Sequence, residues 1–113
     1  MTLQELIFIE DDSKPWQPTD PGVRRKIMHH TPELMLVKVQ FEQGAVGYLH
    51  QHPHLQMSYV AEGIFEVQIG DAKRVLKTGD VFFAPSGRLH GVTCLEAGML
   101  IDVFNPMRED FLK

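Results

Sequence analysis

Short apolar segments separated by glycine and proline restrict the folds open to this chain. Nine glycines and seven prolines are distributed over 113 residues, and the segments between them are rich in valine, isoleucine, phenylalanine and leucine. Such segments, bounded by turn residues, are typical of β-strands, and no helix-length window shows helical periodicity. The predicted strands lie at 5–9, 23–29, 34–42, 47–51, 55–61, 64–69, 73–77, 80–84, 90–95 and 98–104. Turns are predicted between them, including Glu62–Gly63 and Ala97–Gly98.

Alternating apolar and polar residues along 34–42 indicate a strand with one buried face. About ten short strands, with no room for crossover helices, favour antiparallel pairing in a sheet that closes on itself to hide its edges. The expected fold class is therefore all-β, a single jelly-roll barrel domain over 1–113. Residues 1–22 are expected to form an N-terminal strand and a proline-rich, irregular arm, and 105–113 a C-terminal cap.

Charge and cysteine content exclude several classes of protein. Fifteen acidic residues against eleven lysines and arginines give a net charge of −4, which disfavours binding to nucleic acid or to an anionic membrane surface. The single cysteine, Cys94, excludes an intrachain disulfide framework. The N-terminus lacks a secretory signal pattern, and no apolar run approaches the roughly 20 residues of a membrane-spanning helix. These features predict a cytoplasmic protein without nucleic acid or membrane partners.

His50 and His52 are the first candidates for a functional site. They are separated by one residue, so on a strand both imidazoles lie on one face, about 7 Å apart along the backbone. Neighbouring imidazole nitrogens are suitable ligands for a transition metal. An isolated pair with this spacing is more often an exposed pair in a polar loop, so the residues around it decide between the two interpretations.

Two wider spacings surround this pair. The first, in 44–63, is Gly44-x5-His50-x-His52-x3-Gln56-x6-Gly63, and the second, in 79–94, contains Gly79-x5-Pro85-x-Gly87-x2-His90. These spacings resemble the two signature motifs of the cupin superfamily, which has a double-stranded β-helix, or jelly-roll barrel, fold. In that superfamily the first motif supplies two histidines and an acidic residue, and the second supplies a further histidine.

Two positions depart from the cupin motifs. Gln56 replaces the usual acidic residue, which leaves the site one charge more positive. This is expected to lower its affinity for hard cations and to make a bound metal a stronger Lewis acid. Cys94 replaces the usual asparagine and shares strand parity with His90, so it is either a thiolate ligand or a small buried thiol. His54 is a further ligand, a proton-transfer group or a residue of the rim. His29–His30 are assigned to the surface or to a dimer contact.

A closer resemblance covers 22–112. The stretches that carry it are VRRKIMHHTPELMLVKVQFEQGAVG, YVAEGIFEVQIGDAKRVLKTGD, RLHGV and LIDVFNPMREDFL. They are similar to small single-domain cupins of the KdgF type, which take part in pectin and alginate breakdown and carry glutamine in the first motif. The resemblance implies a metal-dependent, isomerase-like enzyme that converts 4,5-unsaturated monouronates into linear keto forms. It implies one divalent transition metal (Ni, Zn, Mn, Fe or Co) on His50, His52, Gln56 and His90, and functional roles for Asp102, Phe104 and Arg108.

Asp102 and Phe104 can also be interpreted from strand parity. On a strand over 98–104, Leu100, Asp102 and Phe104 share one face. If that face is the barrel interior, Asp102 is a carboxylate between apolar neighbours, and it is either a catalytic acid or base or a structural acceptor for a ligand histidine. Phe104 is then expected to pack against the sugar.

Arg108 follows a proline that ends the last predicted strand. Its planar guanidinium is suited to binding a sugar carboxylate through two hydrogen bonds. Without the resemblance, the expected role is an exposed arginine paired with Glu109 or Asp110.

The expected partner is a small anionic sugar, and the chain is expected to form a homodimer by exchange of its N-terminal segment. Two other functions remain open at this point. One is a different metal-dependent cupin enzyme, such as a dioxygenase, and the other is a non-catalytic cupin that binds a small sugar.

Overall fold

Antiparallel strand pairing organises most of this chain in the computed structural model, which describes residues 2–113. The strands are β1 (Gln17–Asp20), β2 (Val23–Thr31), β3 (Leu34–Phe41), β4 (Val46–His50), β5 (Leu55–Ile69), β6 (Ala72–Lys77), β7 (Val81–Ala84) and β8 (His90–Asn105). They form one eight-stranded sheet in the order β1-β2-β3-β8-β5-β6, in which β4 also pairs with β8 and β7 with β5. The predicted all-β class is confirmed.

The two longest strands are continuous where the sequence predicted turns. The turns expected at Glu62–Gly63 and Ala97–Gly98 are wrong, because the first lies inside β5 and the second inside β8. The two strands pair with each other at this point, with shifts in register. A Cβ on Gly63 would lie 2.6 Å from the carbonyl oxygen of Glu96, and one on Gly98 would overlap the backbone of Glu62. The two glycines therefore allow a bend at a close backbone crossing, where the sequence pattern suggested a chain reversal.

This bend lets each long strand pair with different neighbours along its length. The first half of β5 pairs with β7 and the second with β6, while the first half of β8 pairs with β4 and the second with β3. Apolar side chains from these pairings fill the interior, where the Phe41 and Phe65 rings meet edge to face at 5.2 Å. The parity prediction for the last strand is confirmed, since Leu100, Asp102 and Phe104 are all buried.

The predicted N-terminal strand at 5–9 is wrong, because residues 5–7 belong to the helix α1 (Leu3–Ile7) and residues 8–9 lie in no strand. Thr2 and Glu5 form a reciprocal capping box, in which each side chain accepts a hydrogen bond from the other's backbone N–H. No residue of α1 is buried, and exchange of this segment within a homodimer stays a prediction. Among the described residues, no helix has the length and apolar character needed to cross a membrane.

The proline-rich arm is more regular than predicted. It contains β1, which pairs only with β2 and therefore tolerates Pro18 as an edge strand. Further back, a short 3-10 helix (Asp11–Ser13) is bonded to the barrel through Lys26, whose ammonium lies 3.1 Å from the Asp11 carboxylate. The arm is thereby held against the outer side of β2. The end of the chain, predicted as a cap, forms a 3-10 helix at Glu109–Leu112.

Candidate metal centre

Three histidine side chains converge at one place in the barrel. His50 ends β4, His90 begins β8 directly opposite it, and His52 lies in the loop that follows β4. Their ligand atoms all lie within 4.8 Å of one another. His52 and His90 are buried, whereas His50 is exposed. Antiparallel pairing of β4 with β8 thus brings together histidines that are far apart in the sequence.

Backbone carbonyl groups fix the tautomer of each of these histidines. The Nδ1 atom of His50 lies 2.8 Å from the oxygen of Tyr48, that of His52 lies 3.0 Å from the oxygen of His54, and that of His90 lies 2.9 Å from the oxygen of Arg88. A carbonyl only accepts, so each Nδ1 carries the proton and donates it. Each Nε2 is left with a free lone pair, which is the form that binds a metal.

Gln56 completes this group of acceptors. Its Oε1 atom lies 3.1 Å from Nε2 of His52 and 3.1 Å from Nε2 of His90. Its amide nitrogen donates to the Ser58 hydroxyl at 3.0 Å, and that hydroxyl donates to Oδ1 of Asp102 at 2.6 Å. Since a hydroxyl has one proton and gives it to the carboxylate, it must accept from the amide. The chain of bonds therefore directs Oε1 of Gln56 toward the histidines.

Three hydrogen-bond acceptor atoms therefore face one another with no hydrogen-bond donor between them. Oε1 of Gln56 faces the Nε2 atoms of His52 and His90, and none of the three carries a proton in this arrangement. Burial lowers the pKa of His52 to about 4 and also lowers the pKa of His90, so both stay neutral, as metal ligands must be. Three imidazole nitrogens and one amide oxygen fit a divalent transition metal. The donor set thus matches the predicted cofactor.

Two carboxylates line this cavity with His50, Gln56 and His90: Asp20, which is exposed, and Asp102. The Asp102 side chain is buried, and burial raises its pKa to about 6, although the Ser58 hydrogen bond and the nearby charge of Arg108 oppose the increase. The structural alternative, direct bonding to a ligand histidine, is not what the structure shows. Asp102 reaches the ligand set through Ser58.

Arg108 and Phe104 border the same cavity. The Arg108 guanidinium binds Asp110 through two hydrogen bonds, of 3.0 Å from Nε and 2.8 Å from Nη2, and it lies 4.3 Å from the centre of the Phe111 ring. The pairing with Asp110 matches the alternative considered for an exposed arginine, but Arg108 is buried. Phe104 packs edge to face on the His52 ring at 5.9 Å.

Other candidate residues lie apart from the three converging histidines. Cys94 is fully buried in the apolar core, with Sγ 3.0 Å from the carbonyl oxygen of Glu96, and burial raises the pKa of its thiol. The buried-thiol interpretation therefore describes it. The His54 ring packs on His52 at 5.4 Å, and its buried Nδ1 has no hydrogen-bond partner among residues 2–113. His29–His30 lie on β2, outside the cavity lining.

Three residues of the cavity region were missed by sequence reasoning. Ser58 could have been found from strand parity, since it lies two residues after Gln56 on β5. Arg25 and Phe111, which line the cavity, come from β2 and the C-terminal segment. No local pattern predicts their approach, because it depends on how the barrel closes.

Ser58→Ala is expected to weaken metal binding about 10-fold to 100-fold, as is typical when a partner that orients a ligand is removed. Without the hydroxyl, the Gln56 amide loses the acceptor that fixes which end faces the histidines. Titration calorimetry with a divalent metal measures the effect, and Ser13→Ala, at an exposed serine of the N-terminal arm, is the matched control. Equal affinities for the Ser58 variant and the wild type would contradict the orienting role.

Asp102→Asn is expected to change how the stability of the metal-free protein depends on pH. Since folding raises the pKa of Asp102 from 3.8 to about 6, the folded state binds more protons between these values, and the free energy of unfolding falls as pH rises through this window. The asparagine variant should therefore gain about 3 kcal/mol over the wild type between pH 4 and 7. Titration of His52 acts in the opposite direction, but it does so in both proteins.

Denaturant titrations at several pH values measure this difference. A stability difference between the two proteins that stays constant from pH 4 to 7 would show that the Asp102 carboxyl titrates normally.

Three comparisons with known proteins agree with this geometry. The family model of the cupin domain matches residues 37–104. The pectin degradation protein KdgF of Dickeya dadantii is 49% identical over 107 residues, which cover 93% of this chain and 97% of that protein. The structure of KdgF from Halomonas sp. superimposes with a TM-score of 0.88 and 46% identity, over 92% of this chain and 96% of that one. An RmlC-like cupin from Shewanella frigidimarina gives 0.89 and 42%, over 92% and 94%.

Proposed function

Since this chain belongs to the cupin family and is a cupin of the KdgF type, we propose that it converts 4,5-unsaturated monouronates, released from pectin or alginate, into linear keto forms. The observation that carries the proposal is the position of Asp102. A buried carboxyl with a pKa raised to about 6 borders the same cavity as His50 and His90, two of the three convergent histidines. A group that exchanges a proton near neutral pH beside a candidate metal site is suited to a proton-transfer reaction.

The substrate determines which proton transfers are needed. A 4,5-unsaturated uronate is a cyclic hemiacetal whose ring oxygen is attached to C5 of the C4=C5 double bond. When the C1 hydroxyl loses its proton, the bond between C1 and the ring oxygen breaks, which leaves an aldehyde at C1 and an enolate at C5. Protonation of C4 then gives the C5 ketone. One proton leaves an oxygen and one arrives at a carbon, so the reaction is an isomerisation without a redox step.

The chain's own residues can perform these steps. His50, His52, Gln56 and His90 would hold the metal, which when bound supplies a Lewis acid for the substrate oxygens. Asp102 in its ionised form accepts the proton of the C1 hydroxyl and, once protonated, delivers a proton to C4. Its raised pKa brings both forms within reach near neutral pH.

Phe104 and Arg108 are proposed to position the sugar. The Phe104 ring forms an apolar wall beside the histidines, against which the face of the sugar ring packs. Arg108, a buried residue of the cavity lining, supplies positive charge, while its Nε and Nη2 atoms are bonded to Asp110. An anionic substrate thereby meets local positive charge inside a protein with a net charge of −4.

Product analysis tests the proposal. Metal-loaded protein is incubated with unsaturated galacturonate, and the mixture is followed by NMR and by an oxygen electrode. We expect the C4 vinyl proton signal to be replaced by a methylene signal at unchanged mass, without oxygen uptake. Oxygen consumption with bound iron would indicate a dioxygenase instead, and binding without any change in the spectrum would indicate a sugar-binding protein.

A further inference from the structure

We infer that Arg25 is the residue that binds the carboxylate of the ligand in this cavity. The inference rests on the proposed function, because it assigns the anionic group of that substrate to a particular side chain. Arg25 is the third residue of β2 and is opposite Val39 of β3. Its side chain is half-buried and lines the same cavity as His50, Gln56 and His90.

The other candidate cation, Arg108, already has an anionic partner. Its Nε and Nη2 atoms bind both oxygens of Asp110, which occupies one two-donor edge of the guanidinium and compensates its charge. For Arg108 to bind a substrate carboxylate through that edge, Asp110 would have to leave. Within residues 2–113, the ion pairs are made by Lys26, Lys38 and Arg108, so none of them involves Arg25.

The hydrogen-bonding groups of Arg25 are also largely free. Its one side-chain hydrogen bond among the described residues runs from Nε to Oε1 of Gln17, at 3.5 Å, which is at the outer limit for such a bond. The terminal nitrogens are available to a ligand. Burial lowers the pKa of Arg25, and so does the charge of Arg108, while the charge of Asp110 acts in the opposite direction. The net effect is unfavourable to the cation, so an anion bound directly to Arg25 would be stabilising.

Phe111 holds Arg25 in position. The Arg25 guanidinium carbon lies 3.9 Å from the centre of the Phe111 ring, and the Arg108 guanidinium carbon lies 4.3 Å from the same centre. A guanidinium over an aromatic face keeps its N–H donors free, because they lie in its own plane. Arg108 is thus held by both an aromatic ring and a carboxylate, and Arg25 by the same ring and the long bond to Gln17. Of the two cations, Arg25 is the one without a carboxylate bonded to it.

Arg24 provides a matched control, because it is adjacent in the sequence and carries the same charge. It is exposed on the opposite face of β2, where its guanidinium lies 4.3 Å from the centre of the Trp16 ring. Arg24→Gln and Arg25→Gln therefore change the net charge equally, but only the second removes a cation from the cavity.

The test measures binding of galacturonate and of its methyl ester to metal-loaded protein by calorimetry. Galacturonate lacks the double bond and does not react, and the ester lacks the negative charge. We expect Arg25→Gln to weaken galacturonate binding about 10-fold to 100-fold, as for loss of a charge-assisted hydrogen bond. Ester binding should be the same in wild type and Arg25→Gln, and Arg24→Gln should bind both compounds like the wild type.

Three results would overturn the inference: unchanged galacturonate binding in Arg25→Gln, equal weakening of acid and ester, or no galacturonate binding by the wild type. Conversion of unsaturated galacturonate by the wild type, measured separately, decides the proposed function. If the wild type converts unsaturated galacturonate and Arg25→Gln binds galacturonate normally, only the role of Arg25 is wrong. If Arg25→Gln selectively loses binding of the acid but the wild type converts nothing, the proposed function is wrong and the carboxylate site at Arg25 stands.

Discussion

Removing the metal with a chelator is expected to lower the turnover of unsaturated galacturonate by about 10³-fold, since stabilising developing oxygen charge by a metal contributes several kcal/mol. Adding back a divalent metal should restore the rate in the wild type. It should not do so in His90→Ala, because His90 provides one of the three convergent nitrogens and lies 3.1 Å from the Gln56 oxygen. Metal content and rate, measured on the same samples, should change in parallel.

His30→Ala is the matched control for this experiment. His30 is an exposed histidine on β2, outside the cavity lining, so its loss should change neither metal content nor rate. Full activity in chelated wild-type protein that has been shown to contain no metal would contradict a metal-dependent reaction. Full activity in His90→Ala would contradict the assignment of that ligand.

The second large effect is expected for Asp102→Asn, which should lower kcat by about 10²-fold to 10⁴-fold, as for loss of a general acid or base. Asparagine keeps the shape of the side chain and an oxygen that can accept the Ser58 hydrogen bond. Metal affinity and KM should therefore stay close to the wild-type values. This split between kcat and the binding constants separates proton transfer from a structural role.

Asp12→Asn, at an exposed carboxylate of the N-terminal arm, is the matched control and should have the wild-type rate. Turnover by a folded, metal-loaded Asp102→Asn protein at the wild-type rate would show that another group transfers the proton. An equal loss of metal affinity and kcat would instead indicate that Asp102 acts by holding Ser58 and Gln56 in place.

Much of the fold could be predicted because its signals are local. The period of two along β3 and β8 identifies which residues face the interior, and the predicted cupin fold is confirmed. The errors occur where a local signal has two meanings. Gly63 and Gly98 suggested turns, but they lie inside continuous strands, because a glycine also permits close approach of two backbones.

The candidate site also has a part that local sequence patterns predict and a part that they do not. The spacing of His50 and His52 within the first cupin motif predicted a pair of candidate ligands on one short segment, and the second motif added His90. Their actual convergence depends on the pairing of β4 with β8, which sequence spacing alone does not contain. The N-terminal helix was missed for a different reason, since five residues are too few to show helical periodicity.

The arginines show what sequence position alone does not contain. The role of Arg108 in binding the carboxylate stays a prediction, and the structure adds that its guanidinium is bonded to Asp110 two residues later. Arg25 lies 83 residues before Arg108 in the chain, and both lie against the same phenylalanine ring. The two arginines become neighbours only when the barrel closes, so the sequence does not show that they are alternative binding groups for one carboxylate.

The most direct test of the account is the rate at which the ultraviolet absorbance of unsaturated galacturonate falls, because that absorbance reports the conjugated double bond that the reaction removes. We expect metal-loaded protein to accelerate this decay far above the rate in buffer, and chelated protein to return it close to the buffer rate. Decay at the buffer rate with fully metal-loaded, folded protein would contradict the proposal that this cupin converts unsaturated monouronates.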